Sequence, residues 1–182
     1  MVLDSEEREP EREAPTASLI AGHLFETLRG RKNLIFANAR SQVEEYSDRL
    51  RSLCESRRIP CEFWPHHGSL SKELREAAES ALKEPARPAT VICTSTLELG
   101  LDVGEISSVA QLGPPPSVAA LRQRLGRSGR RGEPAVLRVY VQEAEIEPDS
   151  PPQDRLRASL VQTVAAIELL LEHWYEPPEV GA

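Results

Sequence analysis

Six arginines, Arg122, Arg124, Arg127, Arg130, Arg131 and Arg138, fall within one short stretch in which Glu133 is the single nearby acid. Within Gln123-Arg124-Leu125-Gly126-Arg127-Ser128-Gly129-Arg130-Arg131, Arg124, Arg127 and Arg131 are spaced i, i+3 and i+7. A helix end carrying them would present three guanidiniums on one face, with Arg130 at the following glycine-containing turn. Guanidiniums make forked contacts to phosphoryl oxygens. One that reaches a γ-phosphate from a second domain stabilises transition-state charge, contributing roughly 10³ to 10⁵ in rate. From charge alone, a solvated basic face with no ligand is the simpler account.

The elements that must hold this cluster are legible as alternating strand and helix spacing. Leu19, Ile20, His23, Leu24 and Leu28 lie near helical spacing and Gly30 ends the run; Leu34-Ile35-Phe36-Ala37 then suits a buried strand. Ser41 followed by Glu44 predicts a capping box, and Val43, Tyr46, Leu50 and Leu53 continue one helical face. Cys61 to Trp64, after Pro60, reads as a short strand. Ser71 opens a helix with Leu74, Ala77, Ala78, Ala81 and Leu82 on its apolar face, ended by Pro85 and Pro88. Val91 to Cys93, Val109 to Leu112 and Ala135 to Val141 read as three further strands. Ser117, after Pro114-Pro115-Pro116, caps a helix running to about Gly126. Parallel strands need crossovers of about a dozen residues, so the alternation predicts an α/β fold, a three-layer α/β/α sandwich around a mainly parallel sheet.

With 182 residues, 40% of them apolar, the chain can bury one core of about 130 to 150 residues. Residues 1–15 are charged and poor in apolar side chains, which predicts a disordered lead-in. The domain is expected over 16–142. Residues 143–182 read as an acidic loop and a helix carrying Leu156, Leu160, Val164, Ile167, Leu170 and Leu171, either packing on the domain or leading to a neighbouring one. The net charge of −7 argues against an anionic partner only until it is divided. The first 15 residues hold six acids and two arginines, and residues 143–182 hold nine acids and two arginines, leaving eighteen bases against fourteen acids between them. No apolar run reaches membrane-spanning length, so no membrane partner is expected and a soluble, cytoplasmic protein is. Cys54, Cys61 and Cys93 form no CxxC pair; they read as reduced thiols rather than a disulfide framework, and no metal site is expected.

Taken together, four segments resemble the motifs of superfamily 2 helicases in their usual order. Residues 123–131 resemble motif VI, which that family writes Gln or His-Arg-x-Gly-Arg-x-x-Arg. Thr94 to Val103 resembles motif V, Asn33 to Arg40 motif IV, and His67-Gly68-Ser69-Leu70 through Arg75 the His-Gly segment. The Leu-Glu-Leu-Gly form of motif V, the His-His-Gly-Ser-Leu-Ser run and the Gly-Pro-Pro-Pro-Ser-Val lead into motif VI are most similar to the large helicase-related (Lhr-like) group. The resemblance covers residues 33–142. Leu99 stands where DEAD-box proteins carry arginine, and Lys72 where they often carry glutamine, so those roles are not carried over.

The resemblance implies a RecA-like fold of the P-loop NTPase type and a C-terminal motor domain of an ATP-dependent helicase. Arg130 would be the arginine finger and Arg127 would also reach the phosphates. Gly100, Asp102, Gln123 and Arg124 would lie at the ATP. Asn38, Arg40, His67, Gly68, Ser69, Thr94 and Ser95 would hold a nucleic-acid backbone without reading bases. No Gly-x-x-x-x-Gly-Lys-Ser/Thr and no Asp-Glu-x-Asp/His occurs in the 182 residues. ATP and Mg2+ would therefore be held mainly by an N-terminal RecA-like domain of the same protein, and the isolated chain is expected to be inactive. The implied partner is single-stranded or partly duplex nucleic acid, DNA favoured over RNA. Two other classes stay open: a non-catalytic nucleic-acid or protein-binding module with a degenerate helicase fold, and an unrelated doubly wound phosphate-binding enzyme.

Overall fold

A computed structural model of the chain describes residues 14–97, 104–129, 134–143 and 145–175. Its elements follow in the order α1 (Ala14–Leu28), β1 (Lys32–Ala37), α2 (Arg40–Ser56), β2 (Phe63–His66), α3 (Lys72–Lys83), β3 (Ala89–Cys93), a 3-10 turn (Ser95–Leu97), β4 (Ser108–Leu112), α4 (Val118–Leu125), β5 (Leu137–Tyr140), α5 (Pro152–Arg155) and α6 (Ala158–Leu171). The five strands pair in the order β2-β3-β1-β4-β5, every pair parallel. β3 and β4 are buried throughout, and β1 at every residue but Lys32, as strands covered on both faces must be.

Alternation along β1 divides the core. Ile35 and Ala37 face one layer with Ala21, Leu24, Phe25 and Leu28 of α1 and Val43, Tyr46 and Leu50 of α2. Leu34 and Phe36 face the other, with Ala78, Ala81 and Leu82 of α3 and Val91 of β3. On that second face α6 packs on α4, where Ala166 meets Val118 and Leu121, backed by Leu137, Ile167 and Leu170. This arrangement is the expected α/β/α sandwich.

Buried polar side chains fasten the elements. Asn33 donates from Nδ2 to Leu28 O at 2.7 Å and to Thr90 Oγ1 at 3.1 Å, while its Oδ1 accepts from Ser108 Oγ at 2.8 Å. One amide thus ties the end of α1 to β1, β3 and β4. Gly30 turns the chain with φ +76° and donates its N–H to the buried Glu62 carboxylate at 3.1 Å.

Several expected details differ. Leu19 is 73% exposed, because α1 buries the Ala17, Ala21, Leu24, Phe25, Leu28 face instead. Ser41 does not cap α2; the helix starts two residues earlier than that cap implies, with Ala39 at the cap making no side-chain hydrogen bond, and Gln42 Oε1 accepts from Asn38 N at 3.1 Å. Ser71 and Ser117 do cap, accepting from Leu74 N at 3.4 Å and Ala120 N at 3.0 Å. Leu74 and Ala77 point outward from α3. The second strand lies two residues later than expected and includes Pro65, tolerated because β2 is an edge strand. Ala14 and Pro15, expected in the lead-in, belong to α1; residues 1–13 lie outside the described residues. Among the described residues no helix is long and apolar enough to cross a membrane.

Candidate nucleic-acid and nucleotide interface

In a parallel sheet the loops leaving the carboxyl ends of the strands share one edge, and ligands bind where the strand order reverses. Here β1 sits between β3 and β4, so the chain runs to one side for β2 and β3 and to the other for β4 and β5. Asn38-Ala39-Arg40 follows β1, His67-Gly68-Ser69 follows β2, and Thr94-Ser95 follows β3. Three segments far apart in sequence are thus brought to one edge by three adjacent strands. Gly113 and Pro114, after β4, complete the reversal point, and Asn38 Nδ2 donates to Pro114 O at 2.8 Å across it.

Arg40 is exposed at the first turn of α2, and its Nη1 donates to Ser69 Oγ, joining two of these loops. Gly68 and Ser69 are exposed, and a Cβ at Gly68 would meet no atom within 4 Å, so packing does not demand glycine there. His67 is turned inward and only 1% exposed; its Nε2 lies 3.4 Å from Glu44 Oε1, and neither ring nitrogen has a hydrogen-bond partner among the described residues. The turn thus presents Gly68 and Ser69, not the His67 ring, to solvent. Thr94 is half-buried and Ser95 exposed as it opens the 3-10 turn.

A second histidine, His66, joins the neighbouring elements. Its Nδ1 lies 2.9 Å from Thr96 Oγ1 and its Nε2 3.0 Å from Glu79 Oε1. With the carboxylate accepting from Nε2–H, Nδ1 is left to accept from the threonine hydroxyl. α3, β2 and the 3-10 turn are linked through one imidazole.

The arginine segment departs from the sequence expectation. α4 ends at Leu125, with Gly126 at its C-cap, so Arg127 lies past the helix and no continuous face carries Arg124 and Arg127 together. Arg124 is 2% exposed, its guanidinium 4.9 Å over the Phe36 ring and its Nη1 donating to Gln111 Oε1. Gln123 is exposed and Arg127 half-buried. Beyond them Ser128 pairs with Ile106 in a parallel bridge, and Gly129 takes φ +77°. A Cβ there would lie 2.6 Å from Ala135 N, so glycine is required by both the backbone and the neighbour. Gly100, Asp102, Arg130 and Arg131 lie outside the described residues.

Gln111, which no motif marks, is fully buried and bonded to both Arg124 and Asn38. Its signal was a polar side chain inside the run Val109 to Leu112, since a buried polar group demands a partner. None of the three cysteines is in a disulfide; burial, with Cys61 beside it, pushes the Cys54 thiol up from 9.0 to about 11. Among the described residues no group of three or more His, Cys, Asp or Glu is placed to hold a metal.

Known proteins share this fold. The sequence profile of the helicase conserved C-terminal domain matches residues 16–132. The chain is 32% identical over 201 residues to the Lhr helicase/uracil glycosylase of Escherichia coli, covering 85% of this chain and 13% of that protein. It is 40% identical over 108 residues to the ATP-dependent helicase Lhr-Core of Saccharolobus solfataricus, covering 58% and 12%. The chain thus spans about an eighth of the length of these curated relatives. Among solved structures, the Mycobacterium smegmatis helicase Lhr bound to ssDNA and AMP-PNP superposes with a TM-score of 0.75 at 28% identity, over 90% of this chain and 20% of that one. The C-terminal domain of the DEAD-box protein Dbp5, at 18% identity, shares the fold with a TM-score of 0.63 over 88% and 81%. A RecA-like sheet, four helicase motifs in order and a family match over most of the described residues lead to one assignment: the chain belongs to the helicase conserved C-terminal domain family, in the Lhr-like group of superfamily 2.

Proposed function

We propose that this chain is the C-terminal half of an ATP-driven nucleic-acid motor. It offers Arg127 and Arg130 to ATP held with Mg2+ mainly by an N-terminal RecA-like domain of the same protein, and it forms part of a single-strand track. The observation that carries the reading is the convergence of Asn38–Arg40, Gly68–Ser69 and Thr94–Ser95 at the carboxyl edge of adjacent strands. Exposed loop N–H, hydroxyl and guanidinium groups suit phosphate oxygens, a contact that holds a strand without reading its sequence. Gln123 and Arg127, exposed and half-buried at the end of α4, suit a nucleotide approached from outside the domain. The buried Arg124 suits an anchoring part more than direct contact. Gly100 and Asp102 complete the proposed nucleotide side. Phosphates are supplied by that nucleotide; the chain's own arginines orient and neutralise them.

DNA is the favoured strand. Support comes from the M. smegmatis helicase bound to ssDNA and from the helicase MrfA bound to DNA, 26% identical with a TM-score of 0.65.

In the full-length helicase, Arg130→Ala is expected to lower ATP turnover by about 10³ while single-strand affinity stays within about twofold. The measurements are steady-state phosphate release and fluorescence anisotropy of a labelled oligonucleotide. Unchanged turnover would overturn the motor reading in favour of a binding module. Equal competition by an RNA strand of the same sequence would overturn the preference for DNA.

A further inference from the structure

Gln111 interrupts the apolar run Val109-Ala110-Leu112 in β4, and it is fully buried. A buried primary amide carries donors and an acceptor that must all be placed. Its Oε1 accepts from Arg124 Nη1. A guanidinium has no acceptor, so this contact decides which way round the amide sits. Nε2 then donates to Leu112 O at 2.9 Å and lies 3.2 Å from Asn38 Oδ1 and 3.3 Å from Gly113 O. Asn38 is oriented in turn: with Oδ1 engaged, its Nδ2 donates to Pro114 O. A one-way chain of donors therefore runs from Arg124 in α4, through β4, to the loop after β1.

The surroundings leave this chain little slack. Arg124 is held over the Phe36 ring, and a Cβ on Gly113, whose φ is +76°, would lie 3.1 Å from Asn38 Nδ2. Asn38 is further fixed through its own N–H to Gln42 Oε1 at the start of α2.

We infer that Gln111 is a positioning residue that locks the segment Gln123 to Arg127 to the Asn38–Arg40 loop, so that the nucleotide-facing and strand-facing parts of the domain move as one rigid unit. This inference rests on the function proposed above, which assigns the two parts. An arginine offered to a phosphate contributes only when it is held close to its productive position, and such placement comes from buried partners of this kind. Gln111 touches neither ligand; it acts through Arg124 and Asn38.

Gln111→Glu separates the two links. It keeps an acceptor for Arg124 but sets a carboxylate oxygen against Leu112 O, Gly113 O and Asn38 Oδ1. Flipping Asn38 does not repair this, because its Oδ1 would then face Pro114 O. Gln111→Met cuts both links. In the full-length helicase, ATP turnover is followed against the concentration of a single-stranded oligonucleotide. For Gln111→Glu, the concentration giving half-maximal turnover is expected to rise about tenfold with maximal turnover within about twofold, tenfold corresponding to about 1.4 kcal/mol. Gln111→Met is expected to impair both quantities. An unchanged half-saturation in Gln111→Glu, or an equal loss of apparent affinity and of maximal turnover with a lowered melting temperature, would overturn the inference. Arg127→Ala in the same assay judges the motor reading separately: full turnover there would sink that reading whatever Gln111→Glu does.

Discussion

Arg124 and Arg127 stand three residues apart in one basic segment, yet α4 ends between them and their surroundings diverge. Arg124 is packed against Phe36 and Gln111, while Arg127 lies past the helix on a path whose course is set by Gly129. That path is the residue-scale weak point. In Gly129→Ala a Cβ would meet the Ala135 backbone at 2.6 Å in a positive-φ conformation. The expected loss is about 2 to 4 kcal/mol, since left-handed strain and a backbone clash add. Chemical denaturation of the chain measures it; an unchanged midpoint would mean that the turn relaxes freely. The sequence displayed this arginine cluster plainly, because charge and spacing are visible in one dimension. What it could not display is which arginine turns inward. That depends on an acceptor thirteen residues earlier, Gln111, and on a ring in β1. The same holds for His67: Ser69, two residues on, is exposed, while His67 itself packs beside Glu44 of α2.

At the scale of elements, α6 is held to the domain chiefly through α4. Leu121, fully buried, faces Ala166 across that contact, while Leu160, Val161 and Val164 remain exposed. Leu121→Ala should cost about 2 to 5 kcal/mol by the lost burial and the cavity left behind. It should also loosen α6, seen as faster limited proteolysis within residues 143–157 than in the wild type. Equal cleavage rates would mean that α6 is held elsewhere. Strand and helix identity were legible along the chain from periodicity, and serine caps were legible at α3 and α4, where Ser71 and Ser117 each bond the backbone three residues on. The failures have separate causes. α1 contains more apolar residues than one face can hold, so tertiary packing chose Ala17, Ala21 and Phe25 and left Leu19 in water. β2 extends to His66 through Pro65, which an edge strand tolerates and local sequence pattern does not reveal.

For the molecule as a whole, buried acidic protons are expected to weigh on stability at alkaline pH. Burial raises the Cys54 thiol from 9.0 to about 11 and raises Tyr46 and Tyr140 above their ordinary value. A group whose folded pKa is raised favours the native state most fully below its unfolded pKa. That advantage is lost as pH climbs through the folded value. Stability should therefore hold up to about pH 9 and fall between about 9 and 11, followed as thermal midpoint against pH. Cys54→Ser should change the decline in that window, and an unaltered profile would show that Cys54 does not contribute to it. The candidate interface itself was the least legible feature at this scale. Its three loops are some 25 to 30 residues apart in sequence, and only the order β2-β3-β1-β4-β5 makes them neighbours. Family motifs named the segments; topology assembled them. The same order has a further consequence at its rim. β2 is only four residues long and includes Pro65, which has no N–H to give. An edge so short and so poor in donors is a weak template for a sixth strand, from another molecule or from an unfolded neighbour. On that side Pro65 limits further pairing through the hydrogen bond it cannot donate.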